Sequence, residues 1–74
     1  MSQTTENRTA GQRLRDLRLT KGWSQETLAR KAKMTNGTIS WAETDKRVPQ
    51  LLTQERIARA LRVERREIWP EDSA

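Results

Sequence analysis

The side chains best suited to recognising another molecule lie between Thr35 and Trp41. A helix over this segment turns Ile39 and Ala42 to one side. The other side then carries small polar residues and one indole, namely Asn36, Gly37, Ser40 and Trp41. The amide of Asn36 can pair with adenine in bidentate fashion. The segment is therefore typical of a surface that reads base edges in a DNA major groove.

A preceding helix is needed to hold this segment in place. Leu28, Ala29 and Ala32 form a narrow apolar stripe, and the small alanines allow a second helix to approach closely. Lys33 and Met34 interrupt this pattern, and the following Thr35 is a good N-cap residue. The sequence thus predicts two short helices joined by a tight turn, with the second one available to a ligand.

No catalytic site is apparent among the charged residues. The chain contains no histidine and no cysteine, so the common nucleophile–base pairs and the usual zinc ligands are missing. Its carboxylates fall at capping or ion-pair positions, and Glu71 and Asp72 are adjacent in a C-terminal tail. We expect no enzymatic activity, no metal and no other cofactor.

The composition favours one small domain with a polyanionic partner. Fifteen Lys and Arg residues oppose ten Asp and Glu residues, which gives a net charge of +5 in 74 residues. This length supports a single core at most. No segment approaches the ~20 apolar residues of a membrane span or resembles a signal peptide, so we expect a cytoplasmic protein without a membrane partner.

Capping signals order the first half of the chain. Thr9 and Gln12 have the spacing of a capping box before a helix that runs to about Lys21. Gly22 then supplies a left-handed C-terminal residue. Ser24 is the N-cap of the second helix, which the third helix follows after the turn.

The last third of the chain predicts two further helices. One begins near Leu51, because Pro49 disfavours helix at Val48. Its core side is expected to carry Leu52, Ile57, Ala58 and Leu61. Residues 64–69 form a short fifth helix, which Pro70 ends.

These signals predict one compact, all-α domain of five helices over residues 9–70. Polar segments without periodicity flank it at residues 1–8 and 71–74. We expect the first of these tails to be disordered and the second to be frayed.

The spacing of several residues resembles the lambda-repressor-like helix-turn-helix family, over about residues 12–69. The agreeing features are Arg18, Gly22-x-Ser24-Gln25, Leu28-Ala29, Ile39, Glu43, Lys46-Arg47 before Pro49, and Ala58 with Leu61. This family includes phage repressors, Cro proteins, restriction-modification controller proteins and antitoxins. The resemblance implies a compact five-helix DNA-binding domain.

Some positions depart from the family pattern. Lys33 stands at the turn position usually held by glycine, and Asp45 replaces the glycine usual after the recognition helix. Ala42 takes the place of a large aliphatic residue, and Gln54 that of a buried leucine. We expect these departures to affect local geometry and stability more than the fold.

The resemblance also implies which residues contact DNA. Base contacts are expected from the groove-facing positions of the third helix, which are Thr35, Asn36, Gly37, Thr38, Ser40 and Trp41. Phosphate contacts are implied for Gln25 at the start of the second helix and for Lys46 and Arg47, with Arg13 and Lys21 as weaker candidates.

Two of the base-contact positions leave alternatives open. Gly37 costs about 1 kcal/mol in a helix relative to alanine, which suggests that a side chain there would collide with DNA; sequence drift is the other explanation. Trp41 either lies against a thymine methyl group or sugar edge, or packs sideways on the following loop.

Two further roles follow for charged and apolar residues. Arg18 and Glu43 match a family pair that we expect to form a partly buried bidentate ion pair, fixing the recognition helix to the scaffold. The C-terminal apolar residues Val63, Ile68, Trp69 and Pro70 exceed what a short helix can bury, so part of this surface is expected to complete the core and the rest to form a homodimer contact.

The resulting hypothesis is a dimeric, sequence-specific DNA-binding transcriptional regulator, most readily a repressor of the phage or restriction-modification controller type. It would bind a palindromic operator in double-stranded DNA, with half-sites about 34 Å apart. The alternative is an antitoxin-type interaction module that neutralises a protein partner and regulates itself through DNA binding.

Overall fold

A computed structural model describes residues 8–70 of the chain. Its elements are α1 (Ala10–Thr20), α2 (Gln25–Ala32), α3 (Asn36–Glu43), α4 (Leu51–Leu61) and α5 (Arg65–Ile68). The predicted all-α, five-helix fold is thereby confirmed. Tails were predicted at residues 1–8 and 71–74. Residues 1–7 and 71–74 lie outside the described residues, whereas Arg8, the last residue of the first tail, pairs with Asp16 on α1. None of the helices between residues 8 and 70 is long and apolar enough to cross a membrane.

The predicted N-caps fix where the first three helices begin. Thr9 and Gln12 form the reciprocal capping box at the start of α1. The side chain of Ser24 accepts a hydrogen bond from the N–H of Thr27, and that of Thr35 accepts one from Thr38. The turn between α2 and α3 is therefore bounded by a side-chain cap on each helix, so the start of α3 is well defined.

Two of the departures from the family pattern take up left-handed backbone. Lys33, the C-cap of α2, has φ 60° and ψ 52°, and Asp45 after α3 has φ 60°. This conformation costs a non-glycine residue about 1–2 kcal/mol. Aspartate tolerates it better than most residues, and the side chain of Asp45 also forms hydrogen bonds with the start of α1, described below.

The core takes at least one fully buried aliphatic side chain from every helix. These are Leu14, Leu28, Ile39, Ile57, Leu61 and Ile68. Ala29, Ala32 and Ala42 belong to the same core and are at most 4% exposed. Small residues thus complete the core between the larger aliphatic side chains.

The prediction that Leu52 faces the core is wrong, since 62% of this residue is exposed. In an α-helix it lies about 140° around the axis from Ile57, which is fully buried. Gln54 occupies the core side instead. Its Nε2 donates to the carbonyl of Pro49 at 2.9 Å, and its Oε1 accepts from Nη1 of Arg65 at 3.1 Å. A buried amide with both ends bonded replaces the expected leucine without leaving a polar group unsatisfied.

The start of α1 and the end of α3 touch at Gly11. A Cβ atom on this glycine would lie 2.4 Å from the carbonyl oxygen of Glu43 and 2.7 Å from that of Ala42. Asp45 completes the junction, because its Oδ1 accepts the N–H of Gly11 at 2.9 Å and its Oδ2 accepts the hydroxyl of Thr9 at 2.6 Å. The carboxylate thus caps α1 from the loop that follows α3.

Candidate nucleic-acid interface

The outer side of α3 is open to solvent and carries no charge. Asn36, Gly37 and Trp41 are exposed, and Ser40 is half-buried. Ile39 and Ala42, on the inner side, are at most 3% exposed. Burial of those two side chains thus fixes which face of α3 is presented outward.

The hydroxyl groups at the start of α3 have local partners. Oγ1 of Thr35 lies 3.0 Å from Oγ1 of Thr38 and also accepts the N–H of Thr38 at 3.3 Å. Both threonines therefore support the helix start. Asn36 lies between them, exposed and at the first position of the helix, where side chains of a recognition helix reach base edges.

The protein itself does not require a glycine at position 37. A Cβ atom there would meet only Oγ1 of Thr35, at 3.9 Å. Alanine would fit this helical position, so packing within residues 8–70 does not explain the glycine. Close approach of another molecule and drift both remain compatible with this geometry.

A buried ion pair connects the recognition helix to α1. Nε and Nη2 of Arg18 donate to the two carboxylate oxygens of Glu43 at 2.6 and 3.0 Å, and both residues are 7% exposed. Nη1 of Arg18 donates to the carbonyl of Trp23 at 2.8 Å. The bidentate geometry satisfies both charges and holds the end of α3 against the scaffold.

The side chain predicted to meet a phosphate from α2 also joins this network. Nε2 of Gln25 donates to Oε1 of Glu43 at 3.0 Å, and Gln25 is half-buried. Helix geometry leaves the backbone N–H groups of Gln25 and Glu26 without intrahelical partners. An anion at this end of α2 would therefore meet those N–H groups and the helix dipole, beside a side chain that is already oriented by Glu43.

The loop after α3 presents two cations next to the recognition face, which is the outer side of α3 with Asn36, Gly37, Ser40 and Trp41. Lys46 and Arg47 are exposed, and the N–H of Lys46 donates to the carbonyl of Trp41 at 3.2 Å. The guanidinium carbon of Arg47 lies 4.9 Å from the centroid of the Trp41 ring. Trp41 thus packs on the following loop through Arg47, and 44% of the residue remains exposed. Asp45, the acid in this loop, is directed toward α1.

The remaining phosphate candidates lie on α1. Lys21 is the exposed C-cap residue of α1, and its ammonium lies 5.5 Å from the ring centroid of Trp23. Arg13 is half-buried, and its Nη1 donates to the carbonyl of Ile68 at 3.1 Å. This contact stabilises the end of α5 and competes with the predicted phosphate contact.

Two of the four C-terminal residues predicted to form a dimer surface are buried in the core, and the other two are accessible. Ile68 is fully buried and Trp69 is 7% exposed, since both pack into the core. They complete the core and cannot supply contact area to a partner, which corrects their assignment to a dimer interface. Val63 is half-buried and Pro70 is exposed, so these two alone offer little apolar surface.

Two residues that position the interface were not identified from the sequence. A glycine inside a helical segment is a recognisable signal, because it is unfavourable there unless packing requires it, and Gly11 is such a case. The hydrogen bonds that Thr9 and Gly11 donate to the carboxylate of Asp45 join residues at least 34 positions apart. No local sequence pattern indicates that pairing.

Comparisons with known proteins agree with this geometry. A family model described as a helix-turn-helix domain matches residues 9–68. The restriction-modification controller protein C.AhdI from Aeromonas hydrophila is 41% identical, with 80% of this chain and 89% of that chain covered and a TM-score of 0.76. No curated protein matches the chain.

Two further solved structures contain SinR. SinR, the master regulator for biofilm formation, is 27% identical in a complex with DNA, with 82% of this chain and 98% of that chain covered and a TM-score of 0.77. In the SinR protein/SinI protein complex the identity is 28%, with 85% of this chain and 62% of that chain covered and a TM-score of 0.78.

The matched model covers most of the chain, and the solved structures share its arrangement of helices. The outward face of α3, its buried anchor to α1 and the basic loop beside it are the parts that a DNA-binding helix-turn-helix requires. The chain therefore belongs to the lambda-repressor-like helix-turn-helix family of DNA-binding transcriptional regulators.

Proposed function

We propose that the chain is a sequence-specific repressor that binds a palindromic operator as a homodimer. The observation that carries this proposal is the exposed, uncharged face of α3 beside the cations Lys46 and Arg47. Neutral polar groups discriminate base edges, whereas the flanking cations contribute affinity that does not depend on sequence. Catalysis has no part in the proposal.

In the proposed complex the first turn of α3 enters the major groove. Asn36 then contacts a base edge, with Ser40 one turn further along the same face. The N–H groups at the start of α2 and the two cations of the loop contact the phosphates on either side. Operator occupancy would exclude RNA polymerase, and control would come from protein concentration and cooperative binding.

Selection of bound sequences from a random DNA pool tests the proposal. The wild-type chain is expected to enrich a twofold-symmetric site with half-sites about one helical turn apart. The Asn36→Ala variant is expected to lose discrimination at one base pair in each half-site, worth about 1–3 kcal/mol. Recovery of no preferred sequence by the wild-type chain, at low salt and at moderate salt, would contradict sequence-specific regulation.

Replacing Gly37, on the same face of α3, is expected to raise the stability of the free domain and to lower its affinity for operator DNA. Gly37→Ala is expected to stabilise the free domain by up to about 1 kcal/mol, because alanine is the better helix former and has room. If DNA approaches this position closely, the same methyl group weakens operator binding. Urea unfolding and operator titration of one preparation measure both. Unchanged operator affinity would favour drift over close approach.

A cluster of exposed aliphatic residues at the start of α4 suits the homodimer contact. Val48, Leu51 and Leu52 are 74%, 56% and 62% exposed. Three large apolar side chains this exposed in one short segment are unusual for a monomer surface of this size. We infer that a second copy covers this cluster.

The double variant Leu51→Lys/Leu52→Glu tests this dimer surface. We expect it to sediment as a monomer at concentrations where the wild-type chain is dimeric, and to bind the full operator at least about tenfold more weakly, since cooperative occupancy is lost. Its helical content should be unchanged because both side chains are exposed. Leu19→Lys is the matched control, since Leu19 is 50% exposed but lies on α1. A dimer that survives the double substitution places the interface elsewhere.

The SinR protein/SinI protein complex favours one alternative, in which a protein partner is the main ligand. Under that hypothesis the chain neutralises the partner and binds DNA as a secondary activity. Operator titration with the purified chain distinguishes the two. Tight, selective binding without any added protein supports the repressor; selective binding that appears only with a co-purified partner supports the interaction module.

A further inference from the structure

Trp41 and Arg47 form one structural unit on the edge of the recognition face. The Arg47 guanidinium stacks over the Trp41 ring, with 4.9 Å between its central carbon and the ring centroid. The loop backbone is tied to the same residue, because the N–H of Lys46 donates to the carbonyl of Trp41 at 3.2 Å. Both side chains line a cleft whose other lining residues come from α3, this loop and the start of α4. A backbone hydrogen bond to Trp41 thus holds Lys46 in place, and the Trp41 indole holds the side chain of the next residue, Arg47.

The stacked guanidinium keeps its hydrogen-bonding groups available. Within residues 8–70, no hydrogen bond or ion pair engages the Arg47 side chain. A contact with the ring face does not use the N–H donors of Arg47, which can therefore bind the oxygens of a phosphate in bidentate fashion. Arg18, by contrast, donates hydrogen bonds to Glu43 and to the carbonyl of Trp23.

The position of the unit on α3 indicates which part of a duplex it meets. Base edges are read by the N-terminal residues of a recognition helix, and Trp41 lies in the last turn of α3. In the proposed complex the following loop lies beside the sugar-phosphate backbone that borders the groove. We propose that Trp41 is a positioning residue, which holds the Arg47 guanidinium ready for a DNA phosphate and does not read a base itself. This inference rests on the proposed function.

A double-mutant cycle on operator binding separates this role from a direct base contact. Arg47→Ala is expected to weaken binding and to lower by about 1 the slope of the logarithm of the binding constant against the logarithm of the salt concentration. Trp41→Ala is expected to weaken binding roughly two- to fivefold, the effect of an exposed cation–π contact, without changing the preferred sequence. In the Arg47→Ala background, Trp41→Ala should have no further effect. Trp41→Phe, which keeps an aromatic face, should recover most of the affinity.

A measurement without DNA tests the stacking itself. Incorporation of 5-fluorotryptophan gives separate fluorine NMR signals for Trp23, Trp41 and Trp69, and Trp41→Phe assigns the relevant one. Arg47→Ala should shift the Trp41 signal and leave the other two in place, while Lys46→Ala, the matched control, should leave all three nearly unchanged.

The possible outcomes are distinct. Additive losses in the double mutant, or a changed base preference in Trp41→Ala, would overturn the positioning role while the wild-type chain still binds its operator. An unshifted fluorine signal in Arg47→Ala would also overturn it. Failure of the proposed function would instead appear as absence of selective binding by the wild-type chain, whatever the fluorine spectra show.

Discussion

Replacing Glu43 with alanine is expected to lower the free energy of unfolding by about 3–5 kcal/mol, because the Arg18 guanidinium then stays buried without its counter-charge. A domain of this length has a total stability on the order of 4–11 kcal/mol. The loss is therefore a large fraction of the total, and the variant should unfold at a markedly lower urea concentration than the wild-type chain. Urea unfolding followed by circular dichroism measures the loss. The slope of the unfolding free energy against urea concentration should match that of the wild-type chain.

Two controls assign that loss to the stranded charge. The double variant Arg18→Met/Glu43→Leu removes both charges and should recover most of the stability, as apolar replacements of buried ion pairs commonly do. Arg66→Ala removes an exposed ion pair of similar length, 3.0 Å between Nε of Arg66 and Oε1 of Glu64, and should change stability by less than about 1 kcal/mol. If Glu43→Ala were as mild as Arg66→Ala, the buried pair would not anchor α3.

Replacing Gly11 with alanine is expected to destabilise the domain by about 2–3 kcal/mol. The new methyl group would lie 2.4 Å from the carbonyl oxygen of Glu43, and neither helix backbone can yield without breaking the hydrogen bonds to Asp45. Operator affinity should fall as well, since the end of α3 has to shift. Unfolding and DNA titrations of the same preparation measure both effects.

Gly37→Ala is the matched control for this substitution. Both glycines lie within helices, and alanine is the better helix former by about 1 kcal/mol at each position. Only Gly11 faces a backbone that leaves no room for a Cβ atom. The two variants should therefore change stability in opposite directions. Equal effects would mean that the α1–α3 contact is looser than the structure indicates.

The sequence was sufficient for the features that depend on local spacing. Thr9, Ser24 and Thr35 are good N-cap residues directly before helical segments, and each caps the helix expected. The apolar periodicity also predicted the inward face of α3, because burial of Ile39 determines the rest of that face. The outward side of the helix followed from the same pattern.

The sequence was insufficient where distant residues share a contact. Arg13 is a cation near the start of the domain, and only the fold shows that it donates to the carbonyl of Ile68. Leu52 was predicted to face the core and is exposed, whereas Gln54, at the place of a family leucine, is buried with both ends of its amide hydrogen-bonded. Ile68 and Trp69 are buried in the core, which is why the proposed homodimer contact involves the exposed leucines at the start of α4 instead.

The most direct test is an NMR structure of the labelled chain bound to the duplex recovered by selection. Intermolecular nuclear Overhauser contacts from base protons of the major groove are predicted to reach the side chain of Asn36 and the first turn of α3, with only sugar protons near Arg47. Base-proton contacts to α4 or α5 instead, with α3 left in solvent, would contradict the assignment of the recognition helix.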